Sequence, residues 1–165
     1  MSELLSIGSK AKSINAIEVL RNVLNEPNTK EFFITLNTRD QLFNRGEDRE
    51  GVKIQGNSKG YLEGGEYSPN TINGVPGQYQ GKASKGLPTD RITLYDSGDF
   101  YKSWEIKLQG LTYLINADDL KGGQRLTNLI SNGVKILGLN AQNTETFENY
   151  LWERVLHLII QDLFN

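Results

Sequence analysis

Ten of the 17 glycines lie between Gly46 and Gly86. Pro69 and Pro76 fall in the same stretch and Pro88 follows it. Glycine loses the most backbone freedom on ordering, and proline breaks both helix and ladder. Helices or strands of ordinary length are therefore not expected there. The 165-residue chain reads as a single structural domain, 1–165, in which 46–90 is an extended loop or arm. A loop that long is unusual inside a compact domain, and it is usually functional or ordered by what it binds. Its acidic and basic residues nearly cancel, and tyrosines stand at 61, 67 and 79. That composition suits an arm docking on a surface better than a flexible linker.

The rest of the composition narrows the chemistry. No cysteine means no disulfide, no thiolate zinc site and no thiol nucleophile. A lone histidine, His157, rules out a multi-histidine metal site within one chain, and a Ser-His-Asp triad would have to use it. A net charge of −2 argues against general nucleic-acid binding, and no sequence-specific contact to nucleic acid is expected. No apolar run approaches a membrane span. The N-terminus lacks the basic start and apolar stretch of a secretory signal.

Outside the glycine-rich stretch the periodicities predict an α+β fold. Ile14, Ile17, Leu20 and Leu24 recur at helical spacing, so a helix is expected over about 12–26, capped by Ser13 and stopped by Pro27. KEFFITL (30–36) is aromatic and β-branched, as a strand would be. Thr38 and Gln41 stand as in a capping box, with Gly46 as a stop, which predicts a short helix over 38–45. Asp96, Ser97 and Gly98 form a turn that starts a helical turn at 99–103. Trp104, Ile106 and Leu108 then alternate with polar residues, and LTYLINA (111–117) is the matching partner. A β-hairpin over about 103–117 follows. Asp118 or Asp119 can cap a helix to about Ser131, against the resistance of Gly122 and Gly123, and Asn132-Gly133 is a turn. From Asn143 or Thr144 a helix runs to about 164 with apolar residues on most sides, more than a small domain covers by itself. The predicted architecture is a small antiparallel sheet packed by the N-terminal and C-terminal helices, carrying a glycine-rich arm.

No enzyme signature emerges. GQYQGKASKG (77–86) has three residues between its first glycines where a phosphate loop needs four, and Ala83 stands where that loop carries a hydroxyl. Asp96 and Asp99 supply too few ligands for calcium and read as turn caps. Glu145, Glu148 and Glu153 read as a solvated helix face, and His157 as a solvated or interface residue. A carboxylate pair (Asp96 with Asp99, or Glu145 with Glu148) serving a small cell-wall hydrolase is the weaker alternative. No cofactor or metal is called for. An arm and an over-apolar helix each want a partner, which makes Tyr61, Tyr67, Tyr79, Phe100, Tyr101, Trp104 and Trp152 the candidate partner-interface residues.

The order N-T-R-D-Q-L-F-N-R-G (37–46), Y-S-P-N-T-I (67–72), K-G-L-P-T-D-R-I-T-L-Y-D-S-G-D-F-Y-K-S (85–103), a β-hairpin and I-L-G-L (136–139) resembles the head–tail joining or tail-completion proteins of tailed bacteriophages, especially crAss-like phages of gut Bacteroidota. Residues 73–84 are extra length against that pattern. The resemblance implies a non-enzymatic virion protein of the neck or tail, made in the bacterial cytoplasm. It implies a homo-oligomeric ring contacting the portal, the adaptor and the tail tube, with no membrane partner. A phage protein directed at the host, outside the virion, is the alternative within the same source.

Overall fold

The structure, a computed structural model, describes residues 15–57, 61–62, 64–118, 120–121, 124–125 and 134–164. Helix α1 (Ala16–Asn25) is capped by Asn15, whose side chain accepts from the Glu18 N–H at 3.3 Å. The expected cap, Ser13, lies outside the described residues. The helix ends as predicted before Pro27, because a residue preceding proline is driven out of the helical region; Glu26 has φ −58° and ψ 136°.

Pro27 then opens a second helix, α2 (Pro27–Thr35), at the first helical position, where its missing N–H costs nothing. This corrects the strand expected at 30–36. Thr29, Phe33 and Leu36 are buried at helical spacing. Phe33 meets Tyr113 and Phe147 edge-on, with ring centroids 5.3 and 5.2 Å apart. Tertiary packing of that face outweighs the β-preference of the local composition.

Helix α2 runs on without a break into a π-helical segment, Leu36–Arg45, which Gly46 ends in the left-handed conformation at φ 62°. The predicted stop is therefore right and the capping box is not. Thr38 lies inside a continuous helix and donates to the Ile34 carbonyl, while Gln41 points into the core.

Residues 46–90 are irregular, as their glycines require, yet much of the segment is folded against the body. Ile54 and Tyr67 belong to the main core with Leu42, Ile92, Leu94, Phe100, Trp104 and Ile136. Gly56 permits one close approach: a Cβ there would stand 2.1 Å from the Tyr61 ring. Helix α3 (Pro69–Asn73), capped by Ser68, leads into a minimal hairpin of β1 (Gly74–Val75) and β2 (Tyr79–Gln80) at the surface.

Helix α4 (Asp99–Lys102) precedes the expected hairpin, β3 (Glu105–Gln109) paired antiparallel with β4 (Thr112–Asn116). Its inner face packs Ile106, Leu108, Tyr113 and Ile115 against a second core of Leu24, Phe33, Leu36 and Phe147. Where a helix was expected after Asp118, β5 (Leu120–Lys121) pairs with β6 (Gln124–Arg125). Two adjacent glycines in a helix cost about 1 kcal/mol each against alanine, and the helix is not formed at 120–121 or 124–125. The remainder of that expected helix and the Asn132-Gly133 turn lie outside the described residues.

Helix α5 (Ala141–Phe164) closes the fold. It starts three residues earlier than predicted. Its cap is Asn140, which accepts from the Asn143 N–H at 3.0 Å. The chain is thus α+β, with a small antiparallel hairpin packed by the N-terminal and C-terminal helices.

Candidate functional site

One helix, α5, carries two different surfaces, and a polar clamp fixes how it leaves the body. Asn37, Gln41 and Arg45 follow one another every four residues along the π-helical segment. Asn37 donates to the Ile136 carbonyl (3.2 Å) and accepts from the Gly138 N–H (2.7 Å). Gln41 donates to the Gly138 carbonyl (3.1 Å) and accepts from the Asn140 N–H (2.7 Å). Both side-chain amides are fully buried. They act as paired backbone mimics for a stretch of chain that belongs to no helix or strand, whose buried N–H and C=O groups need partners. Asn143, also buried, donates to the Leu36 carbonyl (2.7 Å) and accepts from Arg45 (2.8 Å). Arg45 in turn pairs with Asp40. The sequence signal for the clamp is the four-residue spacing of these polar residues beside an apolar row, which the capping-box reading misassigned.

Beyond the clamp, one side of α5 buries Asn143, Phe147 and Val155. Along the other side of its last four turns, Trp152, Leu156, Ile160 and Phe164 recur every fourth residue and are 63, 54, 53 and 71 % exposed. They share one helix face. Together they leave roughly 400–500 Å² of apolar area in water, the size of patch that on a monomer is often functional.

The residues expected at an interface divide sharply. Tyr67, Phe100 and Trp104 are buried within the chain's own core, which removes them as partner contacts. Phe100 and Trp104 pack at 68° with centroids 5.9 Å apart. Tyr61 stacks on Tyr67 at 5.5 Å and is half-buried. Tyr101 is half-buried too, and its hydroxyl donates to the Thr93 carbonyl. The Thr93 N–H donates to the Tyr67 hydroxyl at 3.3 Å. Two tyrosines thereby hold Thr93 from both sides, next to Leu94, whose φ of 56° is the one positive value outside glycine among the described residues. Burial pushes the hydroxyls of Tyr61, Tyr67, Tyr101 and Tyr113 up from the usual tyrosine range. Only Tyr79 and Trp152 of the seven stand well exposed, one in the glycine-rich segment and the other on the C-terminal helix. The structure does not bring the seven into one patch. Sequence reasoning missed Leu156, Ile160 and Phe164 as surface residues because they sat within a helix apolar nearly all round.

The candidate chemical groups are engaged structurally. Asp96 pairs with Lys85 at 2.7 Å, and Ser97 donates to Asp99 at 2.6 Å in the turn that opens α4. Asp48, buried in a turn, accepts from the Glu50 and Val52 N–H groups at 2.9 and 3.0 Å. In the stretch first compared with a phosphate loop, Lys82 donates to the Tyr95 carbonyl (2.7 Å) and lies 4.8 Å from the Tyr67 ring centroid. That lysine fastens the glycine-rich segment to the core. Glu145, Glu148, Glu153 and His157 are exposed on α5. A cavity of about 620 Å³ has Ile54, Tyr67, Ile72 and Ile92 among its lining, with Arg45, Lys53, Glu66, Asp90 and Arg91 also at its walls. Four of those charges are already paired: Arg91 with Asp90, Lys53 with Glu47, and Arg45 with Asp40.

Among the described residues, no group of three or more His, Cys, Asp or Glu is placed to hold a metal ion. No described helix is long and apolar enough to cross a membrane. Compared with family models, with curated proteins and with solved structures, the chain has no match.

Proposed function

We propose that this chain is a structural assembly subunit, and that its place is the neck or tail-completion region of a tailed bacteriophage. The observation that carries the assembly reading is the exposed apolar row Trp152, Leu156, Ile160 and Phe164 on a helix whose other side is firmly packed. A surface of that kind gains free energy only when another surface covers it. The phage assignment rests on the order of the sequence motifs. Those motifs also carry the fold. The 37–46 stretch supplies Asn37 and Gln41 of the clamp, and 67–72 supplies buried Tyr67 and the cap of α3. The stretch 85–103 supplies Ile92, Leu94 and Phe100 of the core.

The action is mechanical. Copies join through heterologous contacts that close when the rotation between neighbours fits a ring. The α5 row meets the body of a neighbour, and the exposed β1–β2 hairpin with Tyr79 is the second available contact. The ring then bridges the portal-bound adaptor and the tail tube around the DNA channel.

Purified particles test the assignment. The chain should be found in them by mass spectrometry, and a particle reconstruction should place it as a ring between adaptor and tail. Its absence from particles of a phage that encodes it overturns the assignment.

A further inference from the structure

We propose that two copies of the free chain pair edge to edge through β3, antiparallel and about a two-fold axis at Ile106. The β3–β4 hairpin is a sheet of two strands, so β3 has no neighbour on its outer side among the described residues. Gly110, at φ 65°, takes the first central position of a two-residue turn, as a type II′ hairpin turn demands. That turn makes Gln109 and Thr112 the closing hydrogen-bonded pair. Bonded and non-bonded pairs alternate from there, so the N–H and C=O groups of Ile106 and Leu108 face away from β4. Neither residue makes another backbone hydrogen bond among the described residues. The strand carries no proline or bulge, two of the usual protections of an exposed edge.

The side chains select the occupant. Glu105 and Lys107 are exposed on the outer face of the hairpin, and neither has an ion-pair partner among the described residues. Centring an antiparallel pair on Ile106 sets Glu105 of each copy opposite Lys107 of the other, twice over. It also sets Ile106 beside its own copy and Leu108 beside Trp104 of the other, in register for a ladder over 104–108. A pair centred on Lys107 would instead oppose the two lysines. Opposite charges directly across an antiparallel pair stabilise it, and like charges destabilise it. The strand is therefore complementary to itself in one register, which is the requirement of an isologous contact. The partner this edge fits is a second copy of the chain, added by strand augmentation. The contact uses a different surface from the α5 row, and it does not depend on where the chain sits in a virion.

Sedimentation of the purified full chain tests it, with Glu105→Lys, Lys107→Glu, the double variant, and an equimolar mixture of the two single variants. Wild type should form dimers. Each single variant turns both cross-strand pairs repulsive and should weaken association about tenfold or more. The mixture of single variants should recover wild-type association, because one chain then carries two lysines and the other two glutamates on the facing edge. The double variant should recover it as well. All these substitutions are at exposed positions away from α5, so association through the α5 row is the same in every sample. A monomeric wild type overturns the pairing. So do single variants that associate as well as wild type, or a mixture that stays as weak as its components.

Discussion

The two faces of α5 obey opposite rules. One face is committed to its own chain: Asn143 is held by Leu36 and Arg45, and Phe147 is enclosed by Phe32, Phe33, Tyr113 and Tyr150. The other face carries equally large apolar side chains, but Trp152 and Phe164 stand more than half exposed. Hydrophobic residues alone therefore do not mark the core of this chain. What separates the faces is whether helices α1 and α2, the π-helical segment and the β3–β4 hairpin reach them. A side chain within that reach is structural, and one beyond it is left for a partner.

The contrast breaks most visibly at Phe147. Phe147→Ala should lower the unfolding free energy by about 3–5 kcal/mol, as for other large aromatic truncations in a core, measured by urea denaturation. Trp104→Ala should cost a similar amount, because Trp104 is 6 % exposed and sits in the main core. An assembly defect with unchanged stability would instead return Trp104 to the surface.

The clamp comes next in size. Gln41→Ala leaves the Gly138 carbonyl and the Asn140 N–H buried without partners, and should cost about 2–4 kcal/mol by the same measurement.

An alkaline titration sharpens the contrast from the side of the body. Tyr67, Tyr101 and Tyr113 have hydroxyl pKa values raised by burial, so the folded chain holds those protons after the unfolded chain has released them. The unfolded state then binds fewer protons, and stability should fall as pH rises above about 10, the ordinary tyrosine value. Thermal melts between neutral and strongly alkaline pH check the sign. Tyr67→Phe should reduce the slope, and a slope unchanged by that substitution contradicts the assignment of Tyr67 as a source of it.

The smallest expected effect on stability is on the other face of α5. Trp152→Ala should change it by no more than about 0.5 kcal/mol, as for other exposed substitutions, while impairing assembly.

The hairpin was legible because β3 and β4 each alternate strictly, and a period of two needs no knowledge of distant residues. The glycine stop at 46 and the proline break at 27 were legible for the same reason. Residues 30–36 were not, since local composition favours a strand and only contact with Tyr113 and Phe147 decides for helix. The clamp was beyond local reading: Asn37 and Gln41 bond to groups 97 to 101 residues away. Tyr67, Phe100 and Trp104 read in sequence like interface anchors because core and interface recruit the same aromatic types. Their neighbours settle the matter, and Trp152 shows the opposite outcome for the same residue type as Trp104.

The central claim is that the uncovered face of α5 is where the chain joins its assembly. A chain carrying Trp152→Glu together with Ile160→Glu, supplied in place of wild type during particle production, tests it most directly. The account predicts a folded, soluble subunit with a wild-type melting profile that is missing from purified particles. Incorporation of that variant at the wild-type level would contradict it.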